Sequence, residues 1–230
     1  LDDNSNVGAT LTIGPETFSE NVEITRSVTL VGAGPGLTII DGQMTDTAVL
    51  INGSPTVSIS AVTIQNGDAS LDGGGLLVEG GTVSLTNSVV QNNHAPSGAG
   101  IANNGTMILD DVIVRNNTAD EIISGDSVCD DCAGGGILNY GVMTVTNSTI
   151  HGNTANFGGG IDNAFTGTLT ATEIEVYDNS VSINASGIDA LGGGVENLGT
   201  MTLINSIVRD NTAPFGGGLH NEGELTVTGS

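Results

Sequence analysis

Five side chains that could contact a ligand recur at one fixed offset in this sequence. Each lies two residues before an asparagine, and together they are Gln91, Arg115, His151, Tyr177 and Arg209. A guanidinium group binds carboxylates through parallel hydrogen bonds, which is the chemistry that would hold an acidic sugar. The five members differ in chemistry, so the offset indicates either a ligand-binding stripe or a row of ordinary exposed strand positions.

Acidic side chains offer a second kind of chemistry, the binding of calcium. The candidate ligands are Asp126, Asp130 and Asp131, together with Asp68 and Asp72 beside a glycine-rich turn. Calcium takes about six to eight oxygen ligands. No spacing here matches a defined calcium loop, so a solvated acidic loop is the competing interpretation. The sequence requires no cofactor, and calcium is the one that it could accommodate.

The two cysteines, Cys129 and Cys132, form a Cys-Asp-Asp-Cys segment. No alternation of strands and helices surrounds them, which argues against a thioredoxin-like redox motif. We expect a local disulfide that closes a surface loop, and such a bond would imply an oxidising compartment. Half of a zinc site and free thiols are the alternatives, although zinc needs about four ligands.

No catalytic set stands out from the sequence. A polysaccharide lyase needs a base and cations that hold uronate carboxylates, and the chain has only three Lys and Arg residues in total. A glycosidase needs two carboxyl groups roughly 5 to 10 Å apart, and among 26 acidic residues no pair can be singled out. We therefore assign no catalytic residue and lean towards a protein that is not an enzyme.

The formal charge of −23 at pH 7 limits the partners. Nucleic acid is excluded because phosphate binding needs a basic surface, and an anionic membrane surface is disfavoured for the same reason. No apolar run of about 18 residues is present, so we expect no membrane insertion. Because the chain starts at Leu1 without a signal-like segment, we expect a processed or excised protein that is secreted or displayed on a cell surface.

A repeat positions these side chains. A motif of three small residues, an apolar residue, a variable residue and asparagine starts at Gly98, Gly134, Gly158, Gly192 and Gly216, and a version without asparagine starts at Gly73. The basic period of about 24 residues is typical of a solenoid. We predict one domain over residues 1–230, with less regular coils in 1–72, motif-bearing coils in 73–230 and loop insertions near 120–133 and 181–191.

Each repeat contains short alternating segments that are separated by turn residues, which predicts three short strands per coil. Aligning the coils places apolar residues in inward columns, for example Met107, Met143, Leu169, Met201 and Leu225. Several such columns agree across the coils, and this agreement predicts both the register and a parallel β-helix of about eight to nine coils.

Asparagines form two further columns. One contains Asn103, Asn139, Asn163, Asn197 and Asn221, and the other contains Asn93, Asn117, Asn153, Asn179 and Asn211. A side-chain amide both donates and accepts hydrogen bonds, so each asparagine can bond to its equivalent one coil away. We interpret both columns as structural, since a catalytic asparagine would not need a copy in every coil.

The segment from Val28 to Gly42, VTLVGAGPGLTIIDG, resembles the opening coils of pectin-lyase-like right-handed β-helix proteins. The later Gly-Gly-Gly-Ile-x-Asn coils resemble polymorphic outer-membrane-protein-type repeats of bacterial surface proteins, although Val208-Arg209-Asp210-Asn211 stands in place of their Phe-x-x-Asn motif. The resemblance implies an all-β, single-domain right-handed parallel β-helix and a surface location. It does not imply an adhesin identity, because this fold hosts many functions.

We therefore expect a non-enzymatic extracellular β-solenoid with a structural or adhesive role, whose copies stack end to end into a filament. The alternative is a β-helix that binds or degrades a cell-surface or matrix polysaccharide. A minor alternative is ice binding through outward threonine columns, one of which contains Thr144, Thr170, Thr202 and Thr226.

Overall fold

The protein is a parallel β-helix in which the chain winds repeatedly through the same two long sheets, with a third, shorter sheet in the middle coils. The computed structural model describes residues 8–120, 132–181 and 190–230. Every pair of neighbouring strands in this part of the chain runs parallel, and none of these residues is helical. The all-β parallel β-helix expected from the repeat is therefore confirmed.

The strands are short, and their bounds follow the repeat. The first coils contain β1 (Ala9–Thr12), β2 (Thr17–Ser19), β3 (Val22–Ile24), β4 (Val28–Val31), β5 (Ile39–Asp41), β6 (Val49–Ile51), β7 (Thr56–Ser60) and β8 (Thr63–Gln65). The middle coils contain β9 (Leu76–Val78), β10 (Thr82–Gln91), β11 (His94–Ala95), β12 (Ile101–Asn103), β13 (Thr106–Arg115), β14 (Thr118–Ala119), β15 (Ile137–Asn139), β16 (Val142–Thr146), β17 (Thr149–His151) and β18 (Thr154–Ala155). The last coils contain β19 (Ile161–Asn163), β20 (Thr168–Thr172), β21 (Glu175–Tyr177), β22 (Ser180–Val181), β23 (Val195–Asn197), β24 (Thr200–Ile204), β25 (Ile207–Arg209), β26 (Leu219–Asn221) and β27 (Glu224–Thr228).

Three sheets run along the axis of the helix. Sheet A has 15 strands, and its main path is β1-β4-β7-β10-β13-β16-β20-β24-β27. Sheet B has eight strands, in the order β26-β23-β19-β15-β12-β9-β6-β3, and sheet C has four two-residue strands, β11-β14-β18-β22. The nine strands of the main path agree with the predicted number of coils. At ~4.8 Å per coil they span about 40 Å.

The core lies between the sheets and consists of stacked aliphatic side chains. The predicted register is the observed one, because Met107 pairs with Met143, Met143 with Leu169, Leu169 with Met201 and Met201 with Leu225. The first four members of this column are at most 1% exposed. Such a stack buries apolar surface in every coil, which is the main favourable contribution to folding.

The corners of each coil use left-handed backbone. Asn147, the first of the two residues between β16 and β17, has a φ of 51°, and Asn87 and Asn205 occupy the equivalent corner at 44° and 49°. Asparagine tolerates this conformation better than other residues that carry a Cβ atom. In β10 and β13 the strand continues through this corner, so both are ten residues long.

Candidate functional site

Five asparagines form a ladder at the corner that follows sheet B; they are Asn103, Asn139, Asn163, Asn197 and Asn221. Each Nδ2 donates a hydrogen bond to the Oδ1 of the next member, over 2.9, 2.8, 2.8 and 2.6 Å in chain order. The same amides also donate to corner carbonyls, as Asn139 does to Gly141 at 3.2 Å. The first four side chains are fully buried. Each amide is both donor and acceptor, so a buried polar column of this kind satisfies itself.

A second ladder follows the outer end of sheet A and comprises Asn93, Asn117, Asn153, Asn179 and Asn211. Its Nδ2···Oδ1 distances are 2.9, 3.0, 2.9 and 3.0 Å, and each Oδ1 also accepts the backbone N–H of the preceding member. The third glycine of the repeat motif is needed here. A Cβ atom on Gly136 would lie 2.5 Å from the carbonyl oxygen of Gly160 and 3.0 Å from Nδ2 of Asn153.

The planar stripe, formed by Gln91, Arg115, His151, Tyr177 and Arg209, lies on the outer surface of sheet A. Its members are register partners in consecutive coils. In the first part, Nε and Nη2 of Arg115 donate to Oε1 of Gln91 at 3.0 and 2.7 Å. Because Gln91 is neutral, these bonds orient the Arg115 guanidinium without neutralising its charge.

Ring stacking joins the other members of the stripe. The rings of His151 and Tyr177 are parallel, with their centroids 4.8 Å apart, and the guanidinium of Arg209 lies 4.3 Å from the Tyr177 centroid. Arg209 also pairs with Glu175 and Asp210, each at 2.7 Å. Burial and the nearby Arg115 lower the pKa of His151, so its imidazole is neutral at neutral pH. The stripe is thus a continuous surface of stacked planar groups in which Arg115 is the cation bonded to a neutral side chain.

His94 is held between two aspartates from neighbouring coils. Its Nδ1 lies 2.6 Å from Oδ1 of Asp68, and its Nε2 lies 2.5 Å from Oδ1 of Asp120. Burial lowers the pKa of His94, but the hydrogen bonds and charges of Asp68 and Asp120 outweigh this effect, and the net pKa is raised. The carboxylate of Asp68, a calcium candidate from the sequence, is therefore bonded to His94.

The other sequence candidates are less clustered. Burial raises the pKa of Asp72. Asp126, Asp130, Asp131 and Cys129 lie outside the described residues, whereas Cys132 is buried and disulfide-bonded. Within 8–120, 132–181 and 190–230, no three His, Cys, Asp or Glu side chains are arranged to hold a metal ion. Calcium binding by the acidic segment around residue 130 stays a prediction.

The outward threonines lie in register on sheet A. The column of Thr144, Thr170, Thr202 and Thr226 is continuous over four coils. In the preceding coil this column holds Ile108, which is 43% exposed. The two neighbouring outward columns are also interrupted, because Val142 is the register partner of Thr106 and Asp110 is the register partner of Thr146. Only this one threonine column is therefore regular, and it is confined to the C-terminal coils, where Ile204 and Glu224 interrupt the neighbouring columns.

A buried ionisable column lies on the outer side of sheet B, at the variable position of the repeat motif. It consists of Asp162 in β19, Glu196 in β23 and His220 in β26, which are successive register partners. Asp162 is 4% exposed and Glu196 is 3% exposed. No hydrogen-bond partner contacts Oδ1 of Asp162, Oε2 of Glu196 or Nδ1 of His220. Buried polar atoms without partners are rare and call for an explanation.

The electrostatics of this column follow from its burial. Desolvation raises the pKa of Asp162 to about 7. Desolvation, together with the negative charges of Asp162 and Glu222, raises the pKa of Glu196 to about 8. Nδ1 of His220 lies 3.7 Å from Oε1 of Glu196, which is too long for a hydrogen bond. Both carboxyl groups are consequently protonated for much of the time at neutral pH.

Comparison with known proteins adds no relative: no protein-family model matches the chain, and no curated protein matches it. The functional argument therefore depends on the geometry of the chain itself. A search of the described residues for a helix long and apolar enough to cross a membrane finds none.

Sequence reasoning identified the planar stripe but missed the ionisable column. The signal was present in the motif, because its variable position reads Ala102, Leu138, Asp162, Glu196 and His220 in successive coils. An outward strand position normally faces water, so the alternation of the strand predicts exposed acidic residues there. Part of the burial comes from the first glycine of each motif: Gly158, at φ of 54°, folds back so closely that a Cβ atom on it would lie 2.8 Å from Cβ of Asp162.

Proposed function

We propose that this chain is a rigid, non-enzymatic β-solenoid segment of a secreted or surface-displayed protein, with a structural or adhesive role. The observation that carries the proposal is the pair of uninterrupted amide ladders, each of which joins five coils through hydrogen bonds that are buried except for the partly buried last one. Networks in which every member is satisfied rigidify a structure. The negative charge supports it further, because it limits sideways clumping of rods.

The resemblance to pectin-lyase-like β-helices and to bacterial surface repeats supports an extracellular location, as does the disulfide at Cys132. Self-association is the second part of the proposal. Strand β27 pairs on one side with β24, and Val227, a member of an inward column, is 51% exposed. An additional parallel coil would cover this side chain, whether it comes from a second copy or from a longer chain.

Electron microscopy of the purified chain, with calcium and with a chelator, tests self-association. We expect filaments whose axial repeat matches the rod length of about 40 Å. Val227→Lys should abolish them because it places a charge on the exposed core. Thr226→Lys, which adds the same charge on the outward face of β27, should not. Isolated short rods of the unmodified chain in both conditions would refute end-to-end stacking, and calcium dependence would assign a role to the acidic segment.

Binding of an acidic polysaccharide is the second candidate function, and the planar stripe favours it. The stacked rings of His151 and Tyr177 cover each other's faces, so they present their edges, beside the Arg115 cation, to a ligand that runs along the axis. We expect retardation of the chain in gels that contain polygalacturonate, and loss of that retardation in Arg115→Gln. Arg26→Gln removes the same charge from another corner and serves as the control. Equal retardation of both variants would show that the stripe is not the site.

A further inference from the structure

Asp162 and Glu196 are buried carboxyl groups whose charge the surrounding residues do not compensate. They are neighbours in register on β19 and β23, and adjacent coils are ~4.8 Å apart. Both are more than nine-tenths buried, and each has a carboxyl oxygen without a hydrogen-bond partner. Two ionised carboxylates at this separation would repel each other and would also be without solvation.

The groups that face the pair do not neutralise it. Towards the N-terminal coils, Asp162 pairs in register with the buried Leu138. After burial, the negative charges of Asp72 and Asp162 raise the pKa of the Tyr140 phenol. Towards the C-terminal coils, Glu196 meets His220 at 3.7 Å and the negative charge of Glu222. His220 lies between Glu196 and Glu222, which is 3.9 Å from its Nε2. Among the described residues that act on the pair, no arginine provides a counter-charge.

The adjacent ladder shows what the pair lacks. Asn163 and Asn197 follow Asp162 and Glu196 directly in sequence, and their amides bond to each other at 2.8 Å because an amide donates as well as accepts. An ionised carboxylate only accepts, whereas a protonated carboxyl group also donates one O–H. A bound proton would therefore let the pair stack as the amides do.

We propose that Asp162 and Glu196 form a buried proton-binding site that couples proton uptake to the stability of the coils containing β19, β23 and β26. With a proton between them, the two carboxyl groups share an O–H···O hydrogen bond and carry at most one negative charge. When the last proton leaves, two unpaired charges remain in a desolvated column, and these coils loosen.

The raised pKa values of about 7 and about 8 give the direction of the pH dependence. Both folded-state values lie above the ordinary values of 3.8 and 4.5. The contribution to stability is therefore complete at pH below about 4 and is lost as the pH rises through 7 to 8. The raised pKa of His94 acts in the same direction, and an experiment must separate the two.

The test compares the whole chain with the double variant Asp162→Asn, Glu196→Gln by urea unfolding between pH 5 and pH 9. For the unmodified chain we expect the unfolding equilibrium constant of the C-terminal coils to rise at least about 100-fold across this range. The double variant should keep only a shallower slope, to which the raised pKa values of His94 and Asp72 contribute. Asp111→Asn with Glu173→Gln changes the charge equally at exposed corners and should retain the full slope.

Infrared difference spectra provide a readout that does not depend on the variants folding. The unmodified chain should show the C=O stretch of a protonated carboxyl group at pH 6, and this band should disappear by pH 9. A slope that is unchanged in the double variant, or the absence of the band at pH 6, would overturn the proposal.

Discussion

Two polar columns run side by side through the same coils, and they satisfy their buried groups in opposite ways. In the first ladder, each amide from Asn103 to Asn197 donates to the next over 2.6 to 2.9 Å. In the neighbouring ionisable column, Asp162 and Glu196 are equally buried but have oxygens without a partner. The difference shows that a solenoid repeats a buried polar group without cost only if that group complements itself. Asparagine does so at any pH, whereas a carboxyl group does so only when protonated.

The largest expected effect comes from placing an acid in the ladder. Asn139→Asp would put an acceptor-only group against the oxygens of Gly141, Asn163 and Thr168, to which the Asn139 amide now donates. We expect a loss of roughly 3 to 5 kcal/mol at pH 8, which becomes smaller as acidification protonates the new carboxyl group. Urea unfolding followed by circular dichroism measures this. Asn104→Asp, at an exposed neighbouring position, should change little, and an equal loss in both variants would contradict the comparison.

A change of opposite sign is expected from making the ionisable column apolar. Leu138 occupies this column one coil before Asp162 and is 1% exposed. Asp162→Leu should therefore stabilise the chain at pH 8 by roughly 2 to 4 kcal/mol, because it removes an unpaired buried carboxyl group. The gain should shrink at pH 5, where Asp162 is protonated. Thermal unfolding at both pH values checks this, and a variant that is less stable at pH 8 would show that Asp162 has an unidentified partner.

A smaller effect is expected at the His94 cluster. Because the pKa of His94 is raised by its two aspartates, its contribution is complete below the unfolded value near 6.5 and is lost as the pH rises through the folded value. His94→Gln should cost about 1 kcal/mol at pH 5, since Asp120 is partly exposed. The same variant should cost less at pH 9. Unfolding midpoints at the two pH values test this, and an equal cost at both would indicate packing rather than charge.

The smallest effect on stability is expected in the planar stripe, where the measured quantity is the pKa of His151. Arg115→Gln removes the positive charge that, after burial, lowers the pKa of His151. The pKa of His151 should rise in this variant, while the stability should change by no more than about 0.5 kcal/mol. Nuclear magnetic resonance of the histidine ring protons gives the pKa directly. Arg209→Gln is the control, and an identical rise there would mean that the general negative field of the chain controls His151.

The fold could be predicted from the sequence because every coil repeats the same constraint. The column from Met107 to Leu225 and the two asparagine columns have the register that alignment of the motif predicts. Local sequence also places a turn residue such as Asn147 where the backbone becomes left-handed. Because each coil indicates the same register independently, a misalignment of one coil is detected from the others.

The site was only partly predictable, because contacts between coils depend on side-chain conformation and burial. The offset identified Arg115, His151 and Tyr177 as one row, but it could not show that Arg115 bonds to Gln91 while His151 stacks on Tyr177. The burial of Asp162 was hidden because alternation alone places it towards solvent. The close approach of Gly158 to Asp162 is a local contact, but it depends on the left-handed φ of 54° at Gly158, which the sequence alone does not show.

Both asparagine ladders point the same way along the axis. From Asn103 to Asn221 and from Asn93 to Asn211, each Nδ2–H···Oδ1 bond of a ladder is directed towards the C-terminal coils. In the second ladder the same nitrogen also donates to a carbonyl of the preceding coil, as Asn117 does to Val90. Backbone hydrogen bonds between coils alternate in direction, as when Ile101 donates forward to Gly136 and Thr106 donates backward to Gly81, so their dipoles largely cancel. The aligned amide dipoles instead add up, as peptide dipoles do in an α-helix. The two chains of ladder bonds therefore have a direction along the axis, with the donor of every bond towards the first coil and its acceptor towards the last.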